Sequence, residues 1–230
     1  MFESILLALM AALAGTGFLY LLYRQVRETR SRRLRRAAFL DEVQGLFSGG
    51  LKRTNPDGFP RLSGTYQGLT FDIQAVPDTL NMRKLPTLWL LVSLPEPMPV
   101  RATFDLMMRP RGVELFSSHA ALPVQMQVDA AFPHDCSIRT DAPLALPPRS
   151  LLLRHTRVFD DGRAKELVIS PKGLRIVWLA EEADRGRYLL FRDSEMALTP
   201  FRSPEAKPLL DYLIALRNDL LAAATEKPNE

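Results

Sequence analysis

The chain has 230 residues, 47% hydrophobic and 24% charged, a balance that excludes disordered and collagen-like chains and provides for one sizeable folded unit with an appendage. A single cysteine, Cys136, excludes an internal disulfide framework and any metal cluster built on cysteines alone. The formal charge of +4 hints at an anionic partner, yet Arg24, Arg27, Arg30, Arg32, Arg33, Arg35 and Arg36 fall in one short run, and residues 37–230 hold 23 basic against 24 acidic side chains, so no nucleic-acid partner is expected.

The first element is the uncharged stretch Ile5 to Tyr23. As a helix its 19 residues extend about 28 Å, close to the hydrocarbon thickness of a bilayer. Tyr20 and Tyr23 stand where an interfacial aromatic belt belongs, and the arginines follow at once. A cleaved secretory signal is the rival reading, but it requires positive charge before the apolar core, and MFES carries none on its side chains. The segment therefore reads as a spanning helix with its N-terminus outside and the rest of the chain in the cytoplasm, where a lone thiol is at home. Arginine outnumbers lysine 24 to 6, which suggests a GC-rich bacterial genome and hence the inner membrane. The arginine run attracts anionic headgroups as a consequence of the same topology signal. Ala8 with Ala12, and Ala11 with Gly15, have the small-xxx-small spacing that permits close approach of a second helix.

Leu40, Val43 and Phe47, with Phe39 and Leu46, continue the helical spacing. One helix is expected to run from the membrane to about Phe47, ended by Ser48-Gly49-Gly50, with Leu51 to Pro60 a linker. The period then changes to two. Leu69, Phe71, Ile73 and Ala75 predict a half-buried strand, as do Val100, Ala102, Phe104, Leu106 and Met108, and then Val124, Met126 and Val128. Leu88 to Val92 is apolar on both sides and predicts a central strand, followed by an extended Pro95 to Pro99 loop.

Pro147-Pro148 opens a short amphipathic helix carrying Leu151, Leu152, His155, Val158 and Phe159, which Asp160-Asp161-Gly162 ends. Leu167 to Ser170 and Leu174 to Ala180 predict a hairpin, and Tyr188 to Phe191 a further strand. Ser203-Pro204 opens a last helix with a stripe of Leu209, Leu213, Leu216 and Leu220. Locally joined strands with helices toward the chain ends predict an α+β fold with a mainly antiparallel sheet. The organisation expected is residues 1–50 as anchor and basic extension, 51–224 as the domain and 225–230 as a tail.

Nucleotide-binding loops and the H-E-x-x-H, C-x-x-C and G-x-S-x-G motifs are absent. One local cluster remains, His134, Asp135 and Cys136. If extended it sets His134 and Cys136 on one face, where an imidazole can activate a thiol; the bland alternative is a turn followed by a strand with a small buried thiol. A metal held by His119, His134, Cys136 and His155 requires distant loops to converge. His155, on an apolar helix face, reads as a hydrogen-bonded core residue. Glu181-Glu182, if on a strand, point to opposite faces and cannot act jointly. Arg175 and Arg187 are within the range of types that bind acidic ligands, with a solvent face as the default.

Gly64 to Ile73 (GTYQGLTFDI), Val128 to Pro133 (VDAAFP) and Lys165 to Trp178 together resemble bacterial membrane-anchored domains of unassigned function. The resemblance implies the topology and brings no catalytic residue and no cofactor. The expectation is a single-pass inner-membrane protein, held by the lipid bilayer, presenting a cytoplasmic interaction module to a protein partner or a second copy. The alternative is a tethered enzyme or ligand sensor with a site near His134 and Cys136.

Overall fold

The computed structural model describes residues 2–78, 85–110, 114, 116–183 and 196–226. Helix α1, Phe2–Ala37, contains the apolar stretch and the arginines. It is the one helix among the described residues that is long and apolar enough to cross a membrane, with a mean hydropathy of 2.2 and none of that window covered by the rest of the fold.

The helix stops earlier than its periodicity suggests. After Ala37 the chain turns through a one-turn α2, Asp41–Gln44, and enters strand β1, Ser48–Thr54. Ser48-Gly49-Gly50 therefore opens a strand, and the expected linker is β1 with the turn into β2, Pro60–Tyr66. The reason is local. β1 is an edge strand, mostly exposed on both faces, so it shows no apolar alternation, and Lys52 and Arg53 have the character that protects a free edge. Gly64 lets β1 and the preceding turn close over the sheet, because a Cβ there would lie 2.7 Å from that of Phe47.

The remaining strands are β3, Leu69–Asp78; β4, Thr87–Leu94; β5, Phe104–Met108; β6, Val124–Gln125; β7, Cys136–Thr140; β8, Ala164–Ser170; and β9, Gly173–Glu182. All pairings are antiparallel, in the order β1-β2-β3-β4-β9-β8-β5-β7-β6, confirming the α+β class. The strand expected from Val100 begins at Phe104, and the one expected through Val128 is only two residues long. The expected strand Tyr188 to Phe191 lies outside the described residues.

One face of the sheet carries Phe71, Ile73, Leu90, Val92, Leu106, Leu167 and Ile176 into the main core. Against it pack α3, Arg149–His155, and α4, Ser203–Thr225, whose Leu209, Leu213, Leu216 and Leu220 are buried. Phe39 and Phe201 stack at 6.4 Å, joining the turn after α1 to the residues just before α4. Glu96, in the proline-rich loop, takes a two-pronged contact from Arg217 of α4 at 2.6 and 2.7 Å, which fixes that loop in place. The opposite face carries a smaller apolar cluster, Leu91, Met107, Phe116 and Val177, and this is where the polar chemistry gathers.

Candidate functional site

Side chains of a strand alternate between faces, so Asp105 of β5 points away from Phe104 and Leu106 and away from the main core. The ladder places Asp105 opposite Arg139 and Val168, and Met107 opposite Ser137 and Glu166, so Asp105, Ser137 and Glu166 share the second face. The β5–β6 connection crosses this face and drops Phe116, Ser117 and His119 onto it. His119 sits in a single 3-10 turn, His119–Ala121, and is 6% exposed.

The result is a continuous polar chain under an apolar rim. His119 Nδ1 lies 2.9 Å from Asp105 Oδ1 and its Nε2 lies 3.1 Å from Ser137 Oγ. The Ser117 hydroxyl donates to Glu166 Oε1 and accepts from the His119 backbone N–H at 2.9 Å. Asp105, His119 and Glu166 each present a donor atom within 4.8 Å of the others. Asp105 and Glu166 are each 1% exposed, and their second oxygens, Oδ2 and Oε2, have no hydrogen-bond donor among the described residues. Burial pushes the Glu166 carboxyl up to about 8, with the Asp105 charge adding to the shift and Ser117 and Arg175 opposing it. Next to this cluster, Lys165 and Glu114 form a buried ion pair at 3.0 Å, and Lys165 also donates to the carbonyls of Met108 and Arg109. The crossing segment is thus held to the sheet by polar contacts as well as by Phe116.

Ser137, His119 and Asp105 have the connectivity of a nucleophile, base and orienting acid. Ser137, however, lies inside a ladder strand, whereas such nucleophiles stand on turns that expose the hydroxyl and adjoining amides. The donor set suits a cation better: two carboxylates and an imidazole, with a serine fixing the far ring nitrogen.

The residues singled out by local sequence are placed differently. Asp135 takes a left-handed backbone (φ 61°), so the segment is a turn and not extended; His134 is exposed on it. Cys136 opens β7, packs against the main core and has its thiol pushed up by burial, the opposite of activation. Cys136 and Ser137 are consecutive on β7 and face opposite ways, so His119 and Cys136 are separated by the sheet. His155 is buried on α3, 3.1 Å from Asp219 Oδ2, while its carbonyl accepts from the Tyr212 hydroxyl at 3.0 Å; it binds α3 to α4. Arg175 donates to Ser93 at 3.2 Å, and Arg187 lies outside the described residues. The arginine run extends along exposed α1 as far as Arg36, whose guanidinium stacks over Phe59 at 5.4 Å.

No signal in the sequence marks Asp105, which reads as a solvent-side position of an alternating strand, or Glu166, which falls just before the strand expected from Leu167. Their burial depends on the crossing segment, a tertiary feature. No protein-family profile, curated protein or solved structure matches the chain, so none supplies a family for the resemblance noted in its strands.

Proposed function

We propose that the protein is a single-pass membrane protein that holds its α+β domain against the arginine side of a bacterial inner membrane and there binds a protein partner or a second copy. The observation that carries the anchoring is the exposure of the apolar half of α1. Leu6, Leu9, Leu13, Phe18 and Leu21 are all at least 58% exposed, whereas beyond α1 the large apolar side chains exposed among the described residues are Leu51, Leu144 and Leu221. An apolar surface of this length requires a covering phase, and the segment has the length of a bilayer. The seven arginines at its end favour the cytoplasmic leaflet for the domain. The near-neutral charge of residues 37–230 supports a protein partner over nucleic acid. The alternative of a thiol-based site at Cys136 has a raised thiol against it.

Membrane fractionation followed by alkaline carbonate extraction, with an intact-mass measurement, tests the anchor. The expected result is an uncleaved chain that stays in the membrane pellet; release by carbonate, or loss of the first residues, overturns it. Replacing Arg32, Arg33, Arg35 and Arg36 with Glu tests the orientation through a reporter fused after Glu230. The wild-type reporter is expected inside, with part of the population outside in the variant; a reporter that stays inside in both removes the charge argument.

A further inference from the structure

Two buried carboxylates that face each other across a sheet surface require something positive between them, a proton or a cation. Asp105 and Glu166 are such a pair, each 1% exposed, each with an oxygen that no donor among the described residues satisfies. A third donor completes the group, since His119 Nδ1 lies 2.9 Å from Asp105 Oδ1 and all three side chains bring a ligand atom within 4.8 Å of the others. We infer that Asp105, His119 and Glu166 form a binding site for one first-row divalent cation, of the Mn²⁺ or Zn²⁺ class, beneath the segment that crosses the second face of the sheet.

The distances fit. Donors separated by 2.9 Å subtend roughly 90° at an ion about 2.1 Å from each, an angle found between neighbouring ligands in octahedral and distorted tetrahedral sites. One imidazole with two carboxylates is a mixed donor set, softer than the all-oxygen cages of Ca²⁺ and Mg²⁺ and harder than thiolate sites. The environment also supplies the outer contacts a metal site uses. Ser137 Oγ lies 3.1 Å from His119 Nε2, and the Ser117 hydroxyl donates to Glu166 Oε1. Without the ion, Nδ1–H donates to Asp105 and Nε2 accepts from Ser137. With the ion, the Nδ1 lone pair faces the metal and Nε2–H donates to Ser137 Oγ. Ion binding therefore requires Nδ1 to be free of its proton, with Nε2–H as the donor to Ser137 Oγ. Three protein ligands leave at least one coordination position for water or a ligand. Ser117 and Ser137, both only half buried, mark the margin through which it is reached.

The test uses the full-length chain in detergent micelles, stripped with a chelator and then freed of it. It is titrated calorimetrically with Mn²⁺ and, separately, with Zn²⁺. The expected result is one equivalent bound per chain, weakened at least about 100-fold in Glu166→Gln and Asp105→Asn, and by about 10- to 100-fold in Ser137→Ala, which keeps every ligand but loses the outer contact. Histidine ¹⁵N spectra with Zn²⁺ are expected to show the His119 proton transferring from Nδ1 to Nε2. The inference is overturned if neither ion binds the wild-type chain, if both isosteric variants bind as tightly as wild type, or if the His119 tautomer does not change on saturation. The first and third of these need no variant to fold. The anchoring reading is tested by extraction alone, so either can fail without the other.

Discussion

Replacing Glu166 with Gln gives the sharpest test of how the second face of the sheet is held together in the absence of metal. In the folded chain the Glu166 carboxyl is raised from 4.5 to about 8, first by burial and then by the Asp105 charge. A group held protonated in the fold but ionised in the unfolded chain contributes stability that is fully present below the unfolded value and is lost as pH rises through the folded one. At about 1.4 kcal/mol per unit, the loss between pH 4.5 and 8 is about 5 kcal/mol, and about 3 kcal/mol of it has accrued by pH 7. Gln keeps the shape. Its carbonyl can accept from Ser117 as the Glu166 carboxyl does, and its amide places an uncharged donor beside Asp105. The charged groups that face this position are Asp105 from β5 and Arg175 from β9, and both are common to the two proteins.

The expected outcome in urea unfolding with EDTA present, followed by tryptophan fluorescence, is a variant equal to wild type near pH 4.5, more stable by about 3 kcal/mol at pH 7 and by about 5 kcal/mol above pH 8. Trp89 contacts Phe116 at 5.2 Å and reports on the same face. A difference that stays constant with pH, or a variant less stable than wild type at pH 7, refutes the argument, because the carboxyl would then be ionised and favourably partnered in the fold.

Leu213, fully buried on α4, leaves a cavity when cut to Ala and is expected to cost about 2–5 kcal/mol in the same assay, against a near-zero change for Leu221→Ala on the exposed side. Gly173→Ala is expected to be the more damaging backbone change, since Gly173 has φ +142° and a Cβ there would lie 2.3 Å from the Leu94 carbonyl oxygen; expression and melting temperature should both fall well below those of Gly68→Ala, a glycine with φ +79° and open space around it. Cys136, half buried with its thiol pushed up, is expected to alkylate with iodoacetamide much more slowly in the folded chain than in urea at pH 7.5, and a folded-state rate equal to the unfolded one would show the thiol to be exposed. Acid is expected to loosen the α3–α4 contact: burial lowers the pKa of His155 despite Asp219, so its contribution is present above pH 6.5 and declines as pH falls below it, and His155→Gln should flatten the stability profile on the acid side of pH 6.5.

The parts of the fold legible in the sequence are those where burial on one side imposes a period. Leu69 to Ala75, Leu88 to Val92, the 167–180 hairpin and the last helix fall on β3, β4, β8 with β9, and α4 because each turns a continuous apolar face to the same core. β1 was not legible, since an edge strand with both faces exposed has no such face to show. The early end of α1 was hidden for the opposite reason. Phe39, Leu40, Val43 and Phe47 are all buried, but by a folded-back turn and not by one helix, and buried residues three and four apart look alike in both. The polar cluster fails on a further level. Asp105 occupies a position that alternation assigns to water and Glu166 precedes the expected strand; among the described residues, Phe116 to His119 cover them.

That segment explains why the cluster is more than an accident of packing. An apolar side chain at position 105 or 166 would bury next to Met107 and Val177 without an electrostatic penalty, and replacing buried charges by apolar groups of similar volume is often stabilising. The segment already has anchors that do not depend on these acids, namely Phe116 against Trp89 and the Glu114–Lys165 pair. Two carboxylates set one beside the other are therefore an expensive way to hold it down. They become favourable once a cation takes the place of the proton between them, because binding to the folded state alone adds stability that grows with the logarithm of ion concentration. The ion would then fasten the covering segment to β5 and β8, and chelation would be expected to increase amide exchange at Ser117 and His119 while leaving the α4 face unchanged.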